Sequence, residues 1–358
     1  PVGVFALFLG LACTPEDQAA APDAGPVIEP SFCAQGGAIE ATEDNAWRVE
    51  SAHYLLIAYT DRTEALVLSA MLEAQWSALS AWFDAVPQRP ENDLMRVEFY
   101  ADRDAFRAAL ERDEIEAPSG AGGYYHTRTD TAYMYQQPTR YYTRQLMLHE
   151  AIHQFHHGVR LAGHSVPSWY TEGHAEHLSL YDWDDRCLRL GRLPLLTQKD
   201  LPAQMLGRTI DLAEHIDGSS PMHRPTVWAI FRFFETAQGG EWAEPWASFR
   251  RAMDAGANDG TAAFQEAFGV APDSFNEAFN AWLPQAQEPM TADYAQWSHV
   301  GPESLDGWSQ WFSTARVKGQ VETFRLRFNP PATGSWAGGV LLSFRDEANW
   351  IGLVVTHE

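Results

Sequence analysis

The chain has 358 residues, 45% of them hydrophobic, which is enough for a large buried core, so neither disulfides nor a metal ion is needed merely to fold it. Its formal net charge is −23, and lysine occurs only at Lys199 and Lys318. This balance excludes the clustered basic surface that binds a phosphate backbone. We therefore predict a globular protein with no nucleic-acid partner.

An apolar run, PVGVFALFLGLA, occupies residues 1–12. It has the length of a signal-peptide core and is too short to span a bilayer as a helix. Its end, Leu11-Ala12-Cys13, resembles a bacterial lipobox, in which the cysteine carries a lipid. Since neither an initiator Met nor a basic segment precedes it, we expect the start to be truncated. We predict that residues 1–13 are an export signal, and that the protein is a bacterial cell-envelope lipoprotein or extracellular, with membrane contact only through a lipid anchor at Cys13.

Residues 14–40 are predicted to form a disordered tether. Their first part, from Thr14 to Ser31, is rich in Pro, Ala, Asp and Glu and lacks periodicity, so it buries too little apolar surface to become ordered. Export places Cys33 and Cys187 in an oxidising compartment, where disulfides persist. We expect these two cysteines to pair; two unrelated thiols are the alternative.

An α+β domain is predicted over residues 41–284, from segments with strand and helix periodicity. The predicted strands are 52–59, 95–100 and a pair within 124–135, and the predicted helices are 63–83, 102–110, 142–157 and 169–180, followed by a mainly helical region over 208–284.

The predicted helix over 142–157 contains the sequence His149-Glu150-Ala151-Ile152-His153, which matches the H-E-x-x-H motif. A four-residue spacing puts both imidazoles on one face of a helix, about 6 Å apart along its axis, so that one ion can bind both. Glu150 can then act on a water molecule at the metal, as the general base of a zinc hydrolase. The motif predicts a Zn²⁺ site that needs a third ligand.

Glu172 supplies that ligand, in the run PSWYTEGHAE over residues 167–176. Eighteen residues separate it from His153, enough for the first helix to end and a second to return antiparallel. The two runs together resemble the gluzincin signature of zinc metallopeptidases, in which E-G-x-A follows H-E-x-x-H at this distance. The likeness is to the peptidase MA-like group, including domains of unknown function that share a W-x-x-E-G-x-A-E run.

This resemblance covers roughly residues 41–284 and implies a thermolysin-like zincin fold, with a small mixed sheet, two motif helices and a helical C-terminal half. It also implies hydrolysis of a polypeptide substrate with bound Zn²⁺. Gluzincins usually have a downstream Tyr that stabilises the oxyanion, but no Tyr occurs here between Tyr181 and Tyr294. The donor that replaces it stays open among His223, Arg224, Tyr124 and Tyr125.

Other polar residues near the motif are expected to support the metal site or to lie at the surface. Glu176, one turn after Glu172, is placed to accept the distal N–H of His149 or His153 and fix its tautomer, or else is a solvated carboxylate. His164, His174 and His177 are interpreted as surface or supporting histidines rather than as ligands.

A partial all-β sandwich domain is predicted over residues 285–358, from short strand-like runs separated by Gly, Pro, Asn and Asp. Because the sequence stops inside such a run, we expect this sheet to be truncated. Its tryptophans would suit carbohydrate contact or a buried sandwich core. They are Trp308, Trp311, Trp336 and Trp350.

The sequence therefore predicts zinc-dependent peptide hydrolysis with Glu150 as general base and His149, His153 and Glu172 as ligands. Two alternatives stay open: a zincin-fold binding or scaffold protein with weak or lost activity, and a zinc hydrolase of a non-peptide amide.

Overall fold

A computed structural model describes most of the chain between residues 31 and 283 and five short stretches outside it. The described ranges are 5–8, 31–90, 93–118, 120–137, 140–191, 209–283, 297–301, 304–307, 336–346 and 349–357. Cys13, Trp308 and Trp311 lie outside these ranges.

The described strands and helices mix along the chain, so the fold combines α and β structure. The strands are β1 (Phe5–Phe8), β2 (Phe32–Cys33), β3 (Ala38–Ala41), β4 (Trp47–Glu50), β5 (Tyr54–Ala58), β6 (Met95–Tyr100), β7 (Gly123–His126), β8 (Thr131–Tyr135), β9 (Tyr181–Trp183), β10 (Cys187–Leu190), β11 (Trp297–Gly301), β12 (Ser304–Gly307), β13 (Trp336–Asp346) and β14 (Asn349–His357). The α-helices are α1 (Arg62–Phe83), α2 (Arg103–Arg112), α3 (Arg140–Val159), α4 (Ser168–Leu178), α5 (Leu212–Ile216), α6 (Arg224–Thr236), α7 (Ala243–Asp254), α8 (Gly260–Phe268) and α9 (Asn276–Trp282).

The chain divides into two units. One consists of residues 1–28 and 318–358, where β1, β14 and β13 form an antiparallel sheet in that order. The other consists of residues 29–317 and contains the remaining elements. The predicted strands 339–344 and 350–355 fall within β13 and β14, whereas those at 311–315 and 322–328 lie outside the described residues.

The larger unit is built on a six-stranded mixed sheet with the order β3-β4-β5-β6-β8-β7. The central pairs β5–β6 and β6–β8 are parallel, and the outer pairs are antiparallel. β7 forms one edge of the sheet, and α3 begins a few residues after β8 ends. This order places the long helix α3 beside the β7 edge, where it contacts both β7 and β8.

Helices cover both faces of this sheet. Ala132 and Met134 of β8 belong to a core that includes buried residues of α1 and α3, whereas Tyr133 between them packs with α2. Since neighbouring strand residues point to opposite faces, α2 lies across the sheet from α1 and α3. A separate aromatic core joins α4 to the helices α5 to α9.

Local sequence sets where the helices begin. Asp61 precedes α1, and its carboxylate accepts the backbone N–H groups of Thr63 and Glu64, as an N-cap aspartate does. Pro167 is the N-cap residue of α4, and its fixed φ, −58°, suits the start of a helix. In the described part of the chain, no helix is both long and apolar enough to cross a bilayer.

Cys33 and Cys187 are bonded, which confirms the predicted disulfide. They face each other on the antiparallel strands β2 and β10, with their Cα atoms 4.0 Å apart. The bond closes a loop with a sequence separation of 154 residues. It therefore ties the N-terminal lead to the segment that follows α4.

Candidate metal centre

α3 brings His149 and His153 to one face, because residues four apart lie one turn apart on a helix. Their Nε2 atoms are 3.2 Å apart. His149 is almost fully buried, and His153 is only slightly more exposed. Two imidazole nitrogens therefore point to one place, as the sequence predicted.

Glu172 on α4 completes this group. Its Oε2 lies 3.5 Å from His149 Nε2, and its Oε1 lies 3.7 Å from His153 Nε2. One donor atom from each of the three residues can be chosen so that all lie within 4.8 Å of one another, and the group could hold a metal ion. The structure thus brings together the three residues that the sequence predicted as ligands.

Glu150 is held between α3 and the edge strand β7. Its Oε2 accepts the backbone N–H of Tyr125 at 2.8 Å. A Cβ atom at Gly123 would lie 2.8 Å from its Cγ and 3.0 Å from its Oε1, so the strand can approach the carboxylate this closely only with glycine there. Burial raises the pKa of Glu150, while the charge on His149 opposes that rise.

Burial and the charges within the cluster shift the pKa values of its two histidines and of Glu172 in different directions. Burial lowers the pKa of His153 to about 3, which keeps the imidazole neutral with a lone pair available. Burial would also lower the pKa of His149, but the carboxylates of Glu172, Glu176 and Glu150 outweigh it and raise that pKa. Burial would raise the pKa of Glu172, yet its contact with His149 and the nearby positive charges lower it to about 2. Glu172 therefore stays anionic at neutral pH.

Glu176 and Arg224 flank the cluster. Glu176 Oε1 lies 3.8 Å from His149 Nδ1, longer than a hydrogen bond. Arg224, at the start of α6, donates from Nη1 to Glu176 Oε1 and lies 3.1 Å from Glu172 Oε2. The same nitrogen lies 3.3 Å from His149 Nε2. Of the four residues considered as oxyanion donors, Arg224 is the one that these distances place against the cluster.

Two of the other three candidates have different partners. The Tyr125 hydroxyl donates to Asp130 Oδ1 at 2.8 Å. His223 Nδ1 shares a hydrogen with Thr226 Oγ1 at 2.8 Å. Tyr124 lies on β7, with its ring stacked near that of His126.

Tyr142 is a neighbour of the site that was not among the residues predicted from the motifs. It stands seven residues before His149, which is two turns earlier on the same face of α3. Its side chain is partly exposed, and the partial burial that remains raises its pKa, to which the charges of Glu176 and Glu150 add. The two-turn spacing from the motif was the sequence signal that could have found it.

A second group, formed by His156, His174 and Asp254, could also hold a metal ion. His156 Nε2 lies 2.8 Å from Asp254 Oδ1, and the Tyr170 hydroxyl donates to the same oxygen at 3.1 Å. Of the two places expected for His174 and His177, the surface is wrong, because both side chains are buried and their rings lie near that of Phe231.

The hydrogen bonds of His174 disfavour a metal in this second group. The Trp82 indole N–H, which can only donate, points to His174 Nδ1 at 3.1 Å. The neutral ring therefore carries its hydrogen on Nε2, which has no hydrogen-bond partner among the described residues. Binding an ion through Nε2 would move that hydrogen to Nδ1, against the Trp82 N–H. We interpret this group as a buried polar network that joins α1, α3, α4 and α7.

Comparison with known proteins found no match: no family model matches the chain, and no curated protein matches it significantly.

Proposed function

We propose that this chain carries a zinc-dependent peptidase domain of the gluzincin type, with His149, His153 and Glu172 as ligands and Glu150 as general base. One observation carries the proposal: the two imidazole Nε2 atoms are 3.2 Å apart, and each lies within 3.7 Å of a carboxylate oxygen of Glu172, Oε2 for His149 and Oε1 for His153. Ligands on a tetrahedral Zn²⁺ with bonds of ~2.0–2.1 Å are separated by about 3.3 Å. Two imidazoles and a carboxylate are also a donor set that zinc enzymes use.

The position of Glu150 supports its role as base. When bound, Zn²⁺ supplies Lewis acidity, which polarises a carbonyl and makes water more acidic. Glu150 takes a proton from the attacking water and later gives it to the leaving amine. Its burial and raised pKa suit a group that must both accept and release a proton.

The surrounding elements fit a thermolysin-like zincin. β7 is an edge strand beside Glu150, and an extended peptide can pair with such an edge through backbone hydrogen bonds. α3 and α4 carry the two motifs, and the helices after α4 supply the helical half. This arrangement favours a polypeptide as the substrate.

Two variants separate the ligand from the base. Glu172→Gln should lose most bound zinc, because a charged ligand oxygen is replaced by a neutral one. Glu150→Gln should keep one zinc per chain and lose hydrolysis by roughly 10²–10⁴-fold, the contribution of a general base. Zinc is measured by elemental mass spectrometry, and hydrolysis by turnover of a peptide library.

Glu176→Gln is the matched control, since Glu176 lies one turn from Glu172 and their side chains are 19% and 20% exposed. It should retain stoichiometric zinc. Full zinc affinity in Glu172→Gln would place the third ligand elsewhere. Bound zinc with no peptide turnover in the wild-type protein would favour a binding protein or a hydrolase of a different amide.

A further inference from the structure

Arg224 reaches the ligand group from the first turn of α6. Its Nη1 atom lies 3.1 Å from Glu172 Oε2 and 3.3 Å from His149 Nε2. The sequence leaves the oxyanion donor open among four residues, whereas these distances place the cationic group of Arg224 against two of the three proposed ligands.

The position of this guanidinium is fixed by helix packing. α4 and α6 approach so closely that a Cβ atom at Gly173 would lie 2.1 Å from the Phe231 ring. On α4, Glu172 and Glu176 lie one turn apart, and both contact Arg224 at the start of α6. The bond from Arg224 to Glu176 anchors the side chain there.

The anchored guanidinium still has donors to offer. Its contacts with Glu172, Glu176 and His149 all use Nη1. Its Nε and Nη2 groups have no hydrogen-bond partner in the part of the chain that the structure describes. The side chain is 51% exposed, so a bound molecule can reach it.

We propose that Arg224 is a catalytic residue that binds the oxygen anion developing on the substrate carbonyl, in place of a downstream tyrosine. This inference rests on the proposed function. As the water oxygen bonds to the carbonyl carbon, the C=O π electrons move to the oxygen, and Glu150 takes the water proton. Arg224 donates an N–H to that oxygen anion. The electron pair then returns, the C–N bond breaks, and the amine leaves with the proton from Glu150.

The test uses Co²⁺-substituted protein, in which binding of small molecules is followed by visible absorption. The probes are inorganic phosphate, an oxygen anion, and imidazole, a neutral ligand. In Arg224→Gln the dissociation constant for phosphate should rise about 10- to 100-fold, because a charge-assisted hydrogen bond is lost. The constant for imidazole should stay the same.

Arg251→Gln is the matched control. Arg251 is 52% exposed and also pairs with a glutamate, Glu244, at 2.9 Å, but it lies on α7. Its variant should bind both probes as the wild type does. Arg224→Lys keeps the charge but loses the planar pair of donors, so its phosphate affinity should be intermediate. This lysine variant carries the test if Arg224→Gln does not fold.

Unchanged phosphate binding in Arg224→Gln, or an equal loss of phosphate and imidazole binding, would overturn the role of Arg224 and leave the zinc site standing. Wild-type protein that binds no Co²⁺ would instead overturn the proposed function, and this inference with it. With any peptide that the enzyme cleaves, kcat of Arg224→Gln should fall roughly 10²–10³-fold with little change in KM.

Discussion

Gly123 determines how the proposed base is held. The residue opens β7, and its lack of a side chain lets the strand lie against the carboxylate of Glu150. The N–H of Tyr125 then reaches Glu150 Oε2. The orientation of the carboxylate thus depends on the residue opposite it as much as on the motif that contains it.

We expect Gly123→Ala to move Glu150 without removing the metal ligands. The added Cβ would lie 2.8 Å from Glu150 Cγ, a distance at which something must shift. Misplacing a catalytic group by about 1 Å can cost roughly 10²-fold in rate, so peptide hydrolysis should fall by about that factor. Zinc stoichiometry should not change. Turnover and elemental analysis on the same preparation give both values.

Gly122→Ala is the control for this variant. The nearest atoms to its added Cβ belong to the side chains of Leu146 and Gln137, which can move aside. Its activity should stay close to that of the wild type. Equal losses in both variants would mean that the loop, rather than the contact with Glu150, matters.

At the scale of secondary-structure elements, the site depends on how α4 packs against α6. Gly173 lies on α4 between Glu172 and His174, and Phe231 on α6 fills the space where a side chain would stand. The close contact sets the distance between Glu172 and Arg224. The E-G pair in the motif therefore has a packing role.

Gly173→Ala should destabilise the protein. Overpacking of this kind costs roughly 1–3 kcal/mol of unfolding free energy, although alanine is favoured over glycine within a helix by about 1 kcal/mol. The cost of overpacking should exceed the gain in helix propensity, because the added Cβ would lie 2.1 Å from the Phe231 ring. Zinc affinity should fall too, since Glu172 is the adjacent residue. Urea unfolding and zinc titration measure these effects.

A double-mutant cycle with Phe231→Leu checks the cause. If the ring is the obstacle, Gly173→Ala should cost less in the Phe231→Leu background than in the wild type. Equal costs in both backgrounds would show that the strain lies elsewhere.

Local patterns predicted the elements well, and tertiary contacts account for what they missed. The strand 95–100 has the predicted bounds, and the helix predicted over 63–83 is α1, which starts one residue earlier because Asp61 caps it. The spacing of His149 and His153 is local to one helix and could be predicted. Arg224 could not be chosen over its rivals, because its position depends on α6 packing against α4. The group around His156 and Asp254 joins residues 98 apart in sequence, with no motif to connect them.

Across the whole molecule, the disulfide is the longest covalent constraint in the described structure. Its loop contains α1 to α4 and the six-stranded sheet, and so the entire proposed ligand set. Cross-linking such a long loop restricts the unfolded chain strongly.

We expect the double variant Cys33→Ser with Cys187→Ser to lose roughly 2–4 kcal/mol of unfolding free energy, chiefly because its unfolded state gains freedom. The folded domain should still bind zinc, since its core is large. Urea unfolding of both proteins, with and without a reducing agent, measures the difference. Reduced wild type should match the double variant, and a wild-type midpoint unaffected by reduction would contradict the expectation.

The same bond decides which part of the chain carries mechanical load. A pull on the chain at a residue before Cys33, opposed by a hold at a residue after Cys187, passes through the sulfur atoms from β2 directly to β10. Residues 34–186 lie off that path. The covalent path of such a pull therefore bypasses the two helices that carry His149, His153 and Glu172.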